Sequence, residues 1–272
     1  MKNPKMFFTR TIISVSLILF SFHCALNIFP DSEDIKLGKQ IDDEIKKNPK
    51  EYPILQNHPE VKEYVASIGN KILQSPSIVK RGIYAYQYEI VANDSVINAF
   101  CTPGGYIYVY TGLMKFIDNE ATLAGVLGHE IAHAERRHAT KRMTKIYGAQ
   151  ILLSLVLGEK PNQIAEITAN LFTGLALLAN SRSDESEADE YSIKYLTSTP
   201  YYPGAISGFF EKMLERRGGK SGGTLERMLS THPLDQDRIS HVKELLAKIG
   251  NPQPSESNLF TNQYQEFKRK LP

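Results

Sequence analysis

The sequence predicts an α+β domain that is mostly helical, with a small antiparallel sheet next to the helix that carries residues 129–133. Two patterns predict this fold class. Apolar residues recur every three or four positions in residues 31–75, as they do on the buried faces of amphipathic helices. Residues 84–91 and 106–110 alternate and are rich in aromatic and β-branched types, which is typical of half-buried strands. Helices are expected to dominate because these strands are few and short.

The length and composition indicate one globular catalytic domain. The chain has 272 residues, enough for one full core and too few for two large domains. Hydrophobic residues make up 42% and charged residues 23% of the chain. The 32 basic residues nearly balance the 30 acidic ones, so the net charge does not indicate a nucleic-acid partner. We expect the domain to cover residues 31–250, followed by a C-terminal tail at 251–272.

The first 24 residues have the layout of a secretory signal. A basic start is followed by the apolar run 11–22, which is shorter than the about 20 residues that a membrane span needs. Cys24 follows this run and resembles the lipidated cysteine of bacterial lipoproteins, although His23 replaces the usual small residue. Three alternatives stay open: a lipoprotein, which we favour, an ordinary signal, and a cytosolic protein. A lipoprotein would be anchored to a membrane of the bacterial cell envelope and face the periplasm.

An H-E-x-x-H motif at residues 129–133 lies within a long predicted helix, which spans residues 118–147. Two histidines four positions apart on a helix project from the same face, so both can bind one cation. Zn²⁺ suits imidazole, and three protein ligands leave one position open for catalysis. Glu130 lies beside the first histidine and can accept a proton from the attacking water. The motif predicts a metalloprotease.

The third protein ligand is expected to come from a second helix. The class that supplies a third histidine is excluded because Ala139 occupies that position. His138 is one residue away and is interpreted as a solvated side chain. Glu185 and Asp189 are four residues apart and share a helix face, so Glu185 can bind the metal while Asp189 accepts a ligand N–H. Glu187 points elsewhere and is interpreted as solvated.

Several further short motifs accompany the H-E-x-x-H motif along the chain. In order, the motifs are Asn98-Ala99-Phe100, Pro103-Gly104-Gly105-Tyr106-Ile107-Tyr108-Val109, Gly112-Leu113, His129-Glu130-Ile131-Ala132-His133, Arg137-His138, Glu185-Ser186-Glu187-Ala188-Asp189, and Thr231-His232-Pro233 with Arg238. Together they make the sequence similar to the M48 family of zinc peptidases, in particular to its small cell-envelope members. The resemblance covers roughly residues 33–245 and is more specific than the H-E-x-x-H motif alone.

The resemblance implies a mostly helical zincin domain of the gluzincin type, with one Zn²⁺ ion per chain. It implies that His129, His133 and Glu185 are the zinc ligands. Glu130 is then the general base, and Asp189 supports a ligand histidine.

The resemblance also assigns active-site roles to His232 and Arg238, which spacing alone does not indicate. His232 is expected either to stabilise the oxyanion or to bind zinc in a resting state. A strand in this region resembles the family's edge strand, to which an extended peptide could add as another strand. Its residues are Tyr106, Ile107, Tyr108, Val109 and Tyr110.

The expected function is endoproteolysis of unfolded or extended polypeptides, and the resemblance suggests misfolded or assembling envelope proteins as substrates. Two rivals stay open. The first is a membrane-tethered chaperone or binding module with a structural or latent zinc site, which would have no use for Glu130. The second is a zinc aminopeptidase, whose third ligand would lie nearer the motif than Glu185 does.

Overall fold

The structure is a computed structural model that describes residues 27, 29–145, 148, 180–217, 226–234 and 236–272. The predicted signal at residues 1–24, with the expected lipidation site Cys24, lies outside the described residues. In the described parts of the chain, no helix combines the length and the apolar character that a membrane span requires.

Helices make up most of the described chain, which confirms the predicted fold class. The strands are β1 (Gln87–Val91), β2 (Ala99–Thr102) and β3 (Tyr106–Tyr110). The helices are α1 (Asp31–Lys47), α2 (Pro59–Ile72), α3 (Thr111–Phe116), α4 (Glu120–Glu135), α5 (Arg182–Leu196), α6 (Ala205–Arg217), α7 (Glu226–Thr231), α8 (Gln236–Lys248), α9 (Glu256–Leu259) and α10 (Thr261–Lys268).

The three strands form one mixed sheet in the order β1–β3–β2. A 3₁₀ turn at Pro103–Gly105 joins β2 to β3, and Gly104 supplies the positive φ of 77° that this turn uses. The turn makes β2 and β3 an antiparallel pair, whereas β1 and β3 run parallel. The sheet is therefore mixed, and the expectation of a purely antiparallel sheet is wrong. The chain leaves β1, forms β2 at the far edge, and then turns back to place β3 between the two.

β3 lies at the centre of the sheet, so the expected edge strand at residues 106–110 is wrong. Both of its sides are paired, and residues 107–110 are fully buried. Alternation reports which face of a strand is buried, but it does not report how many strands flank it. The outer side of β1 is partly covered, since Leu55 donates to the carbonyl of Ile90 and Ile54 bridges Val91. The more open edge among the described strands is that of β2.

α4 is buried along its whole length and carries the H-E-x-x-H motif. The side chain of Asn119 caps its first turn by accepting from the backbone N–H of Thr122 at 2.8 Å. The helix ends at Glu135, and Arg137 then adopts a left-handed φ of 59°. Helical structure resumes at residues 138–145. The single long helix expected here is therefore wrong, because a tight turn interrupts it.

α5 packs closely against α4 because small residues line their contact. A Cβ atom added at Gly128 would lie 2.8 Å from Oγ of Ser192. That hydroxyl donates to the backbone carbonyl of Gly125 at 2.8 Å. The close approach brings Glu185 and Asp189, both on α5, opposite the motif histidines.

The C-terminal residues 251–272 belong to the fold, so the tail expected there is wrong. Tyr264 is fully buried on α10, and its hydroxyl donates to the carbonyl of Met114 at 2.6 Å. The ring of Phe267 stacks on Tyr64 of α2 with centroids 3.7 Å apart. The polar composition of the segment gave no indication that Tyr264 and Phe267, which lie three residues apart on one helix face, are buried in the core.

Candidate metal centre

Four buried side chains converge between α4, α5 and the segment that follows α7. They are His129, His133, Glu185 and His232, and one ligand atom from each lies within 4.8 Å of all the others. Each of these residues is at most 5% exposed. Two of them are the histidines of the predicted motif, and the third is the glutamate proposed to complete it.

The separations between these atoms resemble those around a tetrahedral metal ion. Nε2 of His129 lies 2.9 Å from Nε2 of His133, which lies 3.3 Å from Oε1 of Glu185. Nδ1 of His232 lies 3.0 Å from Oε1 of Glu185 and 3.4 Å from Nε2 of His129. Ligands about 2.0–2.1 Å from a tetrahedral Zn²⁺ ion lie about 3.3–3.4 Å apart. The donor types and their spacing therefore fit zinc.

Glu130 lies beside this cluster without a strong hydrogen-bond donor. Both of its carboxylate oxygens are buried, and neither accepts from an N–H or O–H group among the described residues. Oε1 lies 3.7 Å from Nε2 of His232. A buried carboxylate is costly unless it is satisfied, so Glu130 is suited to interact with a water molecule or substrate at the cluster.

The N-terminus of α5 fixes the position of the acidic ligand. Ser181 and Asp184 form a capping box, in which each side chain accepts from the backbone N–H of the other residue. Glu185 follows in the first turn, and Asp189 lies one turn later on the same face. The sequence pattern of two acidic residues four positions apart therefore gives the predicted arrangement.

A buried ion-pair network supports the ligands from behind. Oδ1 of Asp189 lies 2.9 Å from Nδ1 of His129. Arg238 donates to the two oxygens of Asp189 at 2.8 and 2.7 Å, and its Nη1 lies 2.7 Å from Oε2 of Glu185. Burial alone would raise the pKa of Asp189, but Arg238 and His129 hold it below its usual value. Arg238 therefore positions two carboxylates, those of Asp189 and Glu185.

The protein charges around the cluster favour an anionic glutamate and one neutral histidine. Burial alone would raise the pKa of Glu185, but His232 and the motif histidines hold it well below its usual value. Burial and the neighbouring His129 hold the pKa of His133 well below its usual range. Burial opposes a charge on His129 as well, but Asp189 and Glu185 raise its pKa to about 9.

His232 enters the cluster from the end of a short helix. α7 ends at Thr231, and the backbone N–H of His232 donates to the carbonyl of Met228 at 2.7 Å. The next residue, Pro233, accepts a hydrogen bond from Nη1 of Arg238 at 3.2 Å. Both residues that only the family resemblance assigned to the site, His232 and Arg238, thus lie at it.

His138 is buried, and the partly exposed Glu187 is held in ion pairs, so the interpretation of both as free solvated side chains is wrong. His138 is 1% exposed, and its Nδ1 lies 2.7 Å from Nδ1 of His133. Its Nε2 lies 2.8 Å from Oε2 of Glu187, and the other oxygen of that carboxylate, Oε1, accepts from Nε of Arg136 at 2.7 Å. The hydrogen bond with His138, together with Arg136 and against the effect of burial, lowers the pKa of Glu187 to about 2.

Asn180 is a site residue that the sequence did not indicate. Its Nδ2 donates to Oε1 of Glu185 at 2.8 Å and lies 3.4 Å from Nε2 of His133. Its side-chain oxygen, Oδ1, accepts from Nη1 of Arg142 at 2.7 Å. No periodic pattern or motif in the sequence points to Asn180, which lies just before the N-cap residue Ser181.

The site combines two histidines and a glutamate on one buried helix with a second glutamate from a neighbouring helix. This combination is typical of metallopeptidases. The family model for Peptidase family M48 matches residues 59–246, which is more than half of the chain. The chain belongs to peptidase family M48.

The chain is also similar to several curated proteins. The beta-barrel assembly-enhancing protease of Escherichia coli is 28% identical over 198 residues, which are 70% of this chain and 39% of that protein. The mitochondrial metalloendopeptidase OMA1 of Arabidopsis thaliana is 37% identical over 151 residues, or 55% of this chain and 29% of that protein. OMA1 of Saccharomyces cerevisiae is 29% identical over 202 residues, which are 71% of this chain and 57% of that protein. This chain spans less than two thirds of the length of each of these relatives.

Proposed function

We propose that the chain is a zinc-dependent endopeptidase. One Zn²⁺ ion would be held by His129, His133 and Glu185, with Glu130 as the general base. The observation that carries this proposal is the convergence of three suitable donors beside a buried glutamate that has no strong donor of its own. A purely structural metal site would not need such a carboxylate.

The chemistry that we assign to the chain is the attack of water on a peptide carbonyl. A bound zinc ion supplies Lewis acidity, which polarises the carbonyl and makes water more acidic. Glu130 accepts the proton of the attacking water and later gives it to the departing amine. Asp189 and Arg238 keep His129 and Glu185 in place during these steps, so both act as positioning residues.

His232 is proposed to have two roles, one in the resting protein and one with substrate bound. Its Nδ1 lies among the donor atoms, which suits a fourth ligand in the resting state. When a substrate takes that position, the imidazole is expected to donate to the oxyanion. His232→Ala should reduce turnover by about 10²–10³-fold if the donor role limits catalysis, and should raise activity if the ligand role does. Unchanged turnover, together with a zinc-loaded resting structure in which the side chain lies far from the metal, would exclude both roles.

The substrate is proposed to add as a strand to the open edge of β2, in place of the strand first expected. β2 lies against α4, and burial, together with the nearby Glu130, raises the pKa of the Cys101 thiol on β2. This proximity suits a peptide held between the strand and the metal. Main-chain pairing would favour unfolded or extended polypeptides of varied sequence.

We further propose that the substrates are misfolded or assembling proteins of the bacterial cell envelope. The support is the name of the Escherichia coli relative, a beta-barrel assembly-enhancing protease. The proposed location is the periplasmic face of a membrane, with lipidated Cys24 as the anchor and no nucleic-acid partner. Cys24→Ser should release the protein from membranes or block processing, and fractionation with intact-mass measurement would detect either result.

Glu130→Gln tests the proposed activity. The glutamine cannot accept a proton, so cleavage of an unfolded casein substrate should be lost while zinc content stays at one ion per chain. Metal analysis and the protease assay are made on the same preparation. Loss of zinc in the variant, or survival of most activity, would remove Glu130 from the role of base.

A second candidate function is a membrane-tethered chaperone or binding module with a latent metal site. The observation that favours it is the position of His232 within the donor set. This module would bind unfolded casein without cleaving it, and His232→Ala would not create activity. Cleavage by the wild-type protein that depends on Glu130 would exclude it.

A further inference from the structure

We propose that His138, held by Glu187, is a positioning residue that orients the ligand His133 towards the metal. This inference rests on the proposed zinc site and extends it to two residues outside the ligand set. The chain of contacts runs from the carboxylate of Glu187 through the ring of His138 to the outer nitrogen of His133.

The contacts leave one arrangement of protons that is compatible with metal binding. His133 directs Nε2 at the donor cluster, so this nitrogen must be unprotonated to bind a cation. Its proton then lies on Nδ1 and is donated to Nδ1 of His138, 2.7 Å away. His138 must therefore carry its own proton on Nε2, where Oε2 of Glu187 accepts it at 2.8 Å. Each ring fixes the tautomer of the next.

The environment holds this chain of contacts in place. His138 is 1% exposed, so water does not compete strongly for its ring nitrogens. Glu187 is about one-third exposed, and Arg136 donates to its other oxygen at 2.7 Å. The carboxylate therefore has a fixed orientation, with one oxygen for each partner. Ligand histidines generally depend on such an acceptor behind the metal-binding nitrogen.

The backbone turn after α4 makes the contact possible. On a continuous helix, a residue five positions after His133 lies about 140° away around the axis and cannot face it. Arg137 interrupts the helix with a φ of 59°, a left-handed conformation that residues other than glycine rarely adopt. Its guanidinium is held by Asp34 and by the carbonyl of Phe29. These contacts hold the turn that returns His138 to His133.

The test measures zinc affinity by competition between the metal-free protein and a chromophoric chelator. His138→Leu should weaken zinc binding by about 10–100-fold, because the N–H of His133 loses its acceptor. His58→Leu is the matched control, since His58 pairs with Glu60 on the surface and lies outside the donor cluster. The control should bind zinc as tightly as the wild type.

Two amide variants separate positioning from simple filling of space. In His138→Asn, the side-chain oxygen takes the place of Nδ1 and can still accept from His133, so affinity should stay close to that of the wild type. In His138→Gln, the amide reaches the place of Nε2 and leaves His133 without an acceptor, so affinity should fall as in His138→Leu. Equal affinities for the asparagine and glutamine variants would overturn the inference.

A spectroscopic measurement on the wild type does not depend on any variant folding. In zinc-loaded protein labelled with ¹⁵N-histidine, NMR should find His138 protonated only at Nε2 and His133 only at Nδ1. A proton on Nδ1 of His138 would overturn the inference. Failure of the wild type to bind zinc would instead overturn the proposed function. Tight zinc binding by a folded His138→Leu variant, with its melting temperature as the check on folding, would overturn the inference alone.

Discussion

The two ligand histidines on α4 are supported from behind in different ways. Nδ1 of His129 faces the carboxylate of Asp189 directly, and both are almost fully buried. Nδ1 of His133 reaches a carboxylate only through His138, and that carboxylate, Glu187, is partly exposed. The first support is a compact charged network in the core, and the second is a histidine ring that leads to a carboxylate at the surface.

Equivalent ligands of one motif can therefore depend on their surroundings to different degrees. Asp189 and Arg238 form an ion pair in the core, so the loss of one partner leaves a buried charge with less compensation. Glu187 and Arg136 can both be solvated if their contact is lost. Substitutions behind His129 should therefore affect folding, whereas substitutions behind His133 should affect metal binding.

The largest expected effect is that of Asp189→Ala on stability. Arg238 would lose both of its hydrogen bonds to a buried carboxylate, so the metal-free protein should lose about 3–5 kcal/mol of unfolding free energy. Glu187→Ala, the matched change behind the other histidine, should cost at most about 1 kcal/mol. Urea unfolding of the two variants measures both. Equal losses would show that the two supports do not differ.

Gly128→Ala should disturb the His129 side of the site selectively. Its Cβ would lie 2.8 Å from Oγ of Ser192, so α4 and α5 must separate, at a cost of about 1–3 kcal/mol. Gly208→Ala is the control, because its Cβ would meet only one atom, 3.9 Å away, and alanine favours helix. The melting temperature, measured by thermal unfolding, should fall for the first variant and rise for the second. A rise for both would mean that the helix contact is not tight.

Glu187→Ala should weaken zinc binding less than the loss of His138 does. We expect a fall in affinity of less than about 10-fold, since the ring of His138 can still accept from His133. In a His138→Leu background, Glu187→Ala should have no further effect, because its path to His133 is already lost. Chelator competition on the four proteins of this cycle gives the coupling. Additive effects would show that Glu187 does not act through His138.

Proton release on zinc binding should come from the His129 side alone. Asp189 and Glu185 raise the pKa of His129 to about 9, so at pH 7.5 its metal-free ring is protonated and must lose that proton to bind zinc. Burial and His129 keep His133 neutral at this pH. Zinc affinity should therefore rise with pH up to about 9 and then level. Calorimetry in buffers of different ionisation enthalpy counts the protons, and zero release at pH 7.5 would contradict this assignment.

The fold class and most of the donor residues could be predicted from the sequence. The H-E-x-x-H spacing needs only a helix to place both histidines on one face, and the spacing of Glu185 and Asp189 needs only a second. The assignment of His232 and Arg238 to the site depended on the family resemblance, because their contacts join segments about 50 to 100 residues apart. Asn180 had no signal of either kind.

The sequence by itself determined which residue types could hold a metal, because helical spacing is a local property that fixes which side chains share a face. Tertiary structure alone decided that β3 is central, that residues 251–272 complete the core, and that His138 is buried behind His133. Each of these depends on a contact between distant segments or on one unusual backbone angle, that of Arg137. Periodicity averages over many residues, so it does not report a single reversed φ or identify the distant partner of a strand or ring.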